Sequence, residues 1–167
     1  EFTVLKDGEF PELPRFGLRL FLDKSMENAC YYGMGPQESY RDKHRAASHG
    51  LYRSKVCDLH EDYIRPQENG SHYDCDYLEL SGSQYGIAAV AKKSFSFNAS
   101  HYTQEELERA AHNYELCAAD STILCLDYAL NGIGSNSCGP VVLEKYRFDE
   151  TEFQFGLTLV PFVKGTK

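Results

Sequence analysis

The stretch that decides the fold is Thr122-Ile123-Leu124-Cys125-Leu126-Asp127-Tyr128. Its period-two patterning and its β-branched and aromatic residues predict a strand. Further stretches with the same character lie at 16–22, 29–32, 94–97 and 153–159. Turn signals separate them, at Lys6–Gly8, Glu68–Gly70, Ser81–Ser83 and Asn131–Gly132. The pattern therefore predicts many short strands.

One segment alone has strong helix chemistry. Thr103-Gln104-Glu105-Glu106 is a capping box, in which the Thr103 oxygen serves first-turn amides and Glu106 reaches back. A short helix is expected from about Gln104 to Ala111. Many strands with one helix favour an all-β, mainly antiparallel sandwich over alternating βαβ units. No linker divides the chain, so residues 1–167 are expected to form a single domain.

Composition excludes some function classes. The chain has 167 residues and a formal net charge of −8, and 42% of it is hydrophobic and 25% charged. The acidic balance argues against a nucleic-acid partner, which needs a basic face. No apolar run approaches the roughly 20 residues of a membrane span, so no membrane partner is expected. The chain has 12 Tyr and 10 Phe but no Trp.

Six cysteines, at 30, 57, 75, 117, 125 and 138, form no CxxC pair. A chain of this length builds its core without disulfides, so free thiols in the reducing cytoplasm are expected. The start at Glu1, without Met or a leader, reads as part of a longer or processed chain. A sandwich cut in this way is expected to leave an open sheet edge or apolar patch and to self-associate.

Two Pro-Gln-Glu loops raise the hypothesis of a glycosidase carboxylate pair, Glu38 and Glu68. The alternative, which the turn context favours, is that both carboxylates accept hydrogen bonds from turn amides. Cys57 and His60, with the histidines at 44, 49 and 72, are a weak metal-ligand set, because no second closely spaced pair completes it. No metal site is expected in this chain.

The segment Asn131–Pro140 contains three Gly, two Asn and one Pro directly after a predicted buried strand. Polar loops on rigid scaffolds often carry binding, and their side chains suit sugar hydroxyls. A plain flexible connection is an equal alternative on the residues alone.

Five segments, taken in order, resemble the C-terminal small-chain domain (domain 5) of bacterial β-galactosidases of glycoside hydrolase family 2. They are Pro14–Leu18 (PRFGL), Tyr32–Lys43 (YGMGPQESYRDK), Pro66–Gly70 (PQENG), Phe97–Thr103 (FNASHYT) and Gly132–Pro140 (GIGSNSCGP). The resemblance covers the chain from about Pro14 to Phe162.

The resemblance implies a truncated β-sandwich of the galactose-mutarotase-like type, part of a retaining hydrolase of β-D-galactosides such as lactose. That family's two catalytic glutamates and its Mg and Na ions lie on a separate (β/α)8 barrel, which this chain is too short to contain. No catalytic residue and no cofactor is therefore expected here, and the isolated chain is expected to be inactive. The implied partners are the barrel and other domains, the sugar and further copies in a homo-oligomer.

The resemblance also implies that the glycine-rich loop reaches the leaving-group side of the sugar site, through Ser135, Asn136, Ser137 and Cys138. Familiar members place a Trp where this chain has Cys138, so a different leaving-group contact is expected. Two other classes remain open. One is a free-standing carbohydrate-binding module, and the other is a mutarotase-type epimerase with a His and Glu acid–base pair.

Overall fold

The computed structural model describes residues 1–134 and 140–165. They form one α-helix, α1 (Gln104–Arg109), and three short 3-10 helices, at Val56–Leu59, Asn113–Glu115 and Glu144–Tyr146. The strands are β1 (Phe2–Leu5), β2 (Arg15–Asp23), β3 (Asn28–Gly35), β4 (Ser48–Lys55), β5 (Ser71–Ser81), β6 (Tyr85–Ser100), β7 (Ser121–Leu130), β8 (Glu152–Phe155) and β9 (Leu157–Val163).

The large sheet has the order β2-β7-β6-β5-β3-β4, with β9 also paired to β6, while β1 and β8 form a separate ribbon. Every strand pairing within the described residues is antiparallel. Strand β6 changes neighbour along its length, from β9 at Tyr85–Ala91 to β7 at Ser96–Ser100. Strand β5 shifts register around Cys75, beside Asp74 with φ 54°. Bulged strands that change neighbour form the corners between packed β layers.

The hydrophobic core draws its residues mainly from β3, β5, β6 and β7. Leucines of β5 and β7 meet there, Leu78 and Leu80 with Leu124 and Leu126, and each is almost completely buried. Alternate residues of a strand point to one face, so the period-two pattern of the sequence delivers these side chains to a common interior. Removing this apolar surface from water is the main favourable term in folding.

A second cluster is aromatic and joins the β1–β8 ribbon to the large sheet. The Tyr128 and Phe153 rings stack with centroids 4.5 Å apart, and Phe16 and Phe148 meet Phe153 at 5.1 and 5.3 Å. Edge-to-face and offset stacking at these distances adds to the energy of burial. The abundant Tyr and Phe of the composition supply this contact.

The predicted all-β, antiparallel sandwich with one short helix is confirmed. The stretch 153–159 is two strands instead of one, divided at Gly156. The helix ends at Arg109, two residues before the predicted end, because Ala110 is already extended with ψ 133°. Thr103 Oγ1 accepts a hydrogen bond from the Glu106 N–H at 3.1 Å, as predicted. The Glu106 carboxylate instead accepts from Arg109 and from the Cys117 N–H, which corrects the second half of the predicted capping box.

The outer face of the β3–β4 pair carries exposed apolar side chains. Tyr32 and Leu51 are register partners and are 43% and 54% exposed. Self-association through such a surface stays a prediction. Cysteines 30, 57, 75, 117 and 125 are free thiols. Within residues 1–134 and 140–165, no helix has the length and apolar character needed to cross a bilayer.

Candidate functional site

A cleft of about 590 Å³ opens between the segment 37–47, which follows β3, and the loop 61–63. Asp42, Lys43 and Arg45 line one wall, and Glu61, Asp62 and Tyr63 line the other. Its volume lies in the range of small-ligand sites, roughly 300–1,000 Å³. The cleft adjoins the first residues of the glycine-rich loop, because Asp42 contacts both.

Asp42 holds the start of that loop. Its two carboxylate oxygens accept hydrogen bonds from the backbone N–H groups of Ile133 at 3.2 Å and Gly134 at 2.8 Å. A carboxylate that accepts two amide donors fixes the backbone between them, because the bonds are charge-assisted and directional. Asp42 therefore sets the direction in which the chain enters the loop.

The close contact between the Asp42 carboxylate and the loop backbone requires glycine at positions 132 and 134. A Cβ on Gly132 would lie 2.8 Å from Asp42 Oδ2 and 2.8 Å from Val142 Cγ1. A Cβ on Gly134 would lie 3.1 Å from the same carboxylate oxygen. Side chains at these positions would push Asp42 away from the amides, so the glycines permit close packing of backbone against carboxylate.

The segment that follows the loop is also held by hydrogen bonds, to the start of the loop and to Arg41. Gly132 donates its N–H to Tyr146 O at 3.1 Å, and Phe148 donates to Asn131 Oδ1 at 2.9 Å. The Arg41 guanidinium donates to Arg147 O at 3.0 Å, so Arg41 and Asp42 hold opposite ends of the segment 132–147. The consecutive residues Arg41 and Asp42 thus position both ends of the segment 132–147.

Glu38 forms the inner wall of the cleft and is committed to three donors. It accepts hydrogen bonds from the Lys43 ammonium, the Tyr63 hydroxyl and the Gly70 N–H, the last at 2.8 Å. Burial alone would raise the pKa of Glu38, but the bonds from Lys43, Tyr63 and Gly70 outweigh it and lower this pKa below its ordinary value. Glu38 is therefore an ionised structural anchor.

The second Pro-Gln-Glu loop places Glu68 in an ion cluster with Arg15 and the buried Asp127. Arg15 donates to Glu68 Oε2 at 3.1 Å and, through Nε, to Asp127 Oδ1 at 3.2 Å. Asp127 is almost fully buried, and burial raises its pKa. Burial also raises the pKa of Glu68, and the nearby charges of Asp127 and Glu38 add to this against the opposing effect of Arg15. The cluster fastens β2 to β7 and to the loop 66–70.

These contacts bear directly on the carboxylate-pair hypothesis. The charge of Glu38 raises the pKa of Glu68. Burial raises the pKa of Tyr40, and the charges of Glu68 and Glu38 raise it further. Glu38 nevertheless accepts from a turn amide, as the alternative interpretation expected, and Glu68 is paired with Arg15 instead. Both carboxylates are held by neighbouring side chains or amides of the fold, so the geometry favours structural roles for the two glutamates.

The histidines are dispersed. His72 is buried against the Phe97 and Tyr31 rings, and burial lowers its pKa to about 4. His44 Nδ1 contacts Tyr40 O, whereas His49 Nε2 contacts Asp74 O. His60 packs on the Tyr102 ring. Across the described residues, no group of three His, Cys, Asp or Glu side chains is arranged to hold a metal ion.

The predicted binding residues Ser135, Asn136, Ser137 and Cys138 lie outside the described residues. Sequence reasoning missed Asp42 and Tyr63 as parts of the site. Asp42 was visible as part of the segment 32–43, but nothing in the sequence indicated that its carboxylate contacts residues about ninety positions later. The segments that carried the resemblance do meet in space: Arg15 binds Glu68, and Glu38 binds Gly70.

Comparison with known proteins assigns the family. Residues 1–159 match the family described as Beta galactosidase small chain. The chain belongs to this family. It is 47% identical over 160 residues to the β-galactosidase of Actinobacillus pleuropneumoniae and 42% identical over 158 residues to that of Staphylococcus xylosus. The alignment covers 96% and 95% of this chain, respectively, and 16% of each relative.

A β-galactosidase from Kluyveromyces lactis is 37% identical over 155 residues, 91% of this chain and 15% of that protein. The small-chain family is therefore represented among relatives from bacteria and from a yeast. This chain spans about one sixth of the length of the curated relatives that it matches. The resemblance seen in the five sequence segments is confirmed, and it is consistent with glycoside hydrolase family 2.

Proposed function

We propose that this chain shapes the leaving-group side of the sugar site in a retaining β-galactosidase, and that the catalytic carboxylates belong to another part of the enzyme. The observation that carries the proposal is the clamp of Asp42 on Ile133 and Gly134, beside an open cleft. A loop whose entry is fixed in this way can present its polar residues in one orientation, and preorganisation favours binding.

Ser135, Asn136, Ser137 and Cys138 are the proposed contacts to the leaving group. Hydroxyl and amide side chains donate and accept hydrogen bonds, which suits a sugar. Cys138 offers far less apolar area than an aromatic ring would, so the aglycone is held differently from a site built on Trp.

The partners proposed for the chain are the barrel that carries the two catalytic glutamates, the other domains of the enzyme, the β-galactoside and further copies in a homo-oligomer. The proposed compartment is the cytoplasm, in keeping with the free thiols of the described cysteines. The Mg and Na ions that the resemblance implies are proposed to bind at the barrel.

The test uses the full-length protein and compares Asp42→Ala with wild type. Loss of the two hydrogen bonds from the backbone amides of Ile133 and Gly134 to Asp42 changes the direction of the loop. A misplacement of about 1 Å can cost up to about 100-fold in rate. The expected result is a fall of about 10–100-fold in kcat/KM for lactose. The inhibition constant of free galactose should stay within about twofold, because galactose recognition lies elsewhere in the site.

Asp120→Ala is the matched control, since Asp120 is fully exposed and its nearest cation, Lys24, is 3.6 Å away.

Cys138→Trp should alter discrimination between lactose and nitrophenyl galactoside more than it alters galactose inhibition. The proposal fails when the full-length protein hydrolyses no β-galactoside. It also fails when the isolated chain turns over nitrophenyl galactoside and Glu68→Gln abolishes that activity.

A further inference from the structure

The cleft beside Asp42 contains an aromatic ring that the proposed function does not use. Tyr63 lines the wall opposite Asp42 and is partly exposed. Tyr63 follows Glu61 and Asp62, and its backbone N–H donates to Glu61 O at 2.9 Å. Its carbonyl accepts from Asn113 Nδ2 at 2.9 Å, so the backbone that carries the ring is fixed from two sides.

The Tyr63 side chain is also fixed at its tip. Its hydroxyl donates to Glu38 and accepts from Lys43 Nζ at 2.7 Å. Lys43 Nζ is 5.4 Å from the centroid of the Tyr63 ring. This distance nearly equals the length of the hydrogen bond from Nζ to the hydroxyl oxygen plus the length from that oxygen to the centroid, so the three points lie almost on one line. The ammonium therefore lies beyond the hydroxyl and leaves the faces of the ring clear of it. A ring held in this way loses little conformational freedom when a ligand stacks on it.

The charges around the ring define the ligand class. Four carboxylates line the cleft, from Glu38, Asp42, Glu61 and Asp62, against two cations, Lys43 and Arg45. Lys43 is already paired with Glu38, and Asp42 is occupied by backbone amides. A phosphorylated or carboxylated ligand would meet net negative charge, which disfavours it. Exposed Gln37, Glu61 and Asp62 can accept hydrogen bonds from hydroxyl groups.

We infer that the cleft is a secondary subsite for a neutral hexopyranose, which stacks the apolar face of its ring on Tyr63 while Glu61 and Asp62 bind its hydroxyl groups. A pyranose combines one C–H-rich face with equatorial hydroxyls, and this matches an aromatic face rimmed by carboxylates. Among such sugars we assign glucose to this cleft, because glucose is the leaving group that hydrolysis releases from lactose. That last assignment rests on the proposed function, whereas the sugar-binding cleft itself does not.

The experiment titrates glucose into full-length protein labelled with fluorotyrosine and follows fluorine NMR. The Tyr63 resonance is assigned as the signal lost in Tyr63→Phe. The expected result is a saturable shift of this resonance with glucose. Tyr114, which is 83% exposed, should show no shift. Glucose 6-phosphate should bind at least about fivefold more weakly than glucose, because of the acidic lining.

Two variants separate the ring from its hydroxyl, with binding measured by glucose titration calorimetry. Tyr63→Ala removes the stacking surface and should weaken glucose binding about fivefold or more. Tyr63→Phe keeps the ring and should stay within about twofold of wild type. Tyr114→Ala should behave as wild type. Equal weakening in the Ala and Phe variants would overturn the inference, since it would assign the effect to the Glu38 hydrogen bond.

The wild-type titration keeps the inference testable even when Tyr63→Ala fails to fold. An unchanged Tyr63 resonance in saturating glucose refutes it, and so does tighter binding of glucose 6-phosphate. Hydrolysis of nitrophenyl galactoside is measured on the same sample. Normal hydrolysis with a silent Tyr63 refutes this inference alone. A glucose response without hydrolysis refutes the proposed function and leaves the sugar subsite standing.

Discussion

The tripeptide Pro-Gln-Glu occurs twice in this chain, and its two glutamates have opposite electrostatic settings. Glu38 accepts from an ammonium, a hydroxyl and an amide, and its pKa lies below the ordinary value. Glu68 shares Arg15 with the buried Asp127, and its pKa lies above the ordinary value. Identical local sequence therefore leads to opposite proton affinity.

The difference between Glu38 and Glu68 shows which surroundings lower and which raise the pKa of a carboxyl group. Donors aimed at a carboxylate stabilise its charged form, whereas burial near other carboxylates destabilises it. The Glu38 side chain is only 5% exposed, but its partner Lys43 is 49% exposed and Glu38 keeps Tyr63 and Gly70 as donors, so water can replace a lost ammonium. In the Glu68 region the Asp127 side chain is 3% exposed and that of Glu68 28%, so loss of Arg15 would leave the charge of Asp127 unpaired in the interior.

The largest expected effect comes from removing the cation in each region. Arg15→Met leaves Asp127 and Glu68 without their shared partner and should lower the free energy of unfolding by about 3–5 kcal/mol. Lys43→Met removes a half-exposed ammonium from Glu38 and should cost about 1 kcal/mol or less. Urea unfolding of the two variants, followed by circular dichroism, measures both values.

Lys24→Met is the control for this pair, because Lys24 is exposed and lies 3.6 Å from the exposed Asp120. Its effect should be within the error of the unfolding measurement. The proposed contrast between the regions is wrong when Lys43→Met destabilises the protein as much as Arg15→Met does.

The next effect concerns Gly70, where the two regions meet. Gly70 donates its N–H to Glu38 and follows the loop that carries Glu68. Its φ is +69°, and an added Cβ would overlap the Leu59 carbonyl oxygen. Gly70→Ala should cost about 1–3 kcal/mol from backbone strain, and the steric overlap adds to this.

Gly8→Ala is the matched substitution, since no atom lies within 4 Å of the added Cβ. This control should be neutral or slightly stabilising, because alanine reduces the entropy of the unfolded chain. Thermal unfolding of both variants provides the comparison. Equal melting temperatures for the two variants would show that the loop relaxes around the new methyl group.

The smallest expected effect is the dependence of stability on pH. The lowered pKa of Glu38 means that its stabilisation is present above its ordinary pKa and is lost as pH falls through the folded-state value. The raised pKa of Glu68 means that its contribution is present below its ordinary pKa and is lost as pH rises through the folded-state value.

Glu38→Gln and Glu68→Gln should therefore change the slope of stability against pH in opposite directions. On acidification, the advantage of wild type over Glu38→Gln should shrink. The advantage of wild type over Glu68→Gln should grow. Urea unfolding at a series of pH values around the ordinary glutamate pKa of 4.5 measures both. Slopes that change in the same direction would contradict the assignment of these two environments.

Much of the fold was predictable from local chemistry. The β-branched and aromatic residues of 122–128 predicted β7, although Thr122–Asp127 are all buried and do not alternate between buried and exposed. Thr103 predicted the helix start, because its hydroxyl can satisfy a free amide. Local pattern also placed a turn at Glu68–Gly70. The division of 153–159 at Gly156 was missed, since which neighbour each half pairs with is a tertiary matter: β8 joins β1, and β9 joins β6.

The candidate site was less predictable. The glycine-rich loop stood out by composition, and the five segments in order carried the family. The clamp between Asp42 and Gly134 joins positions 92 apart, and Tyr63 meets Lys43 across another loop. The periodicity of a sequence does not predict such contacts, because they depend on tertiary packing between segments that are far apart in the chain.

The sequence by itself determined the strand-forming stretches at 16–22, 29–32, 94–97, 122–128 and 153–159, the helix start and the family, because these depend on local propensity and on side-chain order along the chain. It did not predict β1, β4 or β5. The tertiary structure decided which of the two glutamates has a lowered pKa and which has a raised one. It also decided that Asp42 clamps the loop and that Tyr63 lines the cleft. The physical reason is that charge and hydrogen bonding act through space, so identical Pro-Gln-Glu segments acquire different chemistry from the residues packed around them.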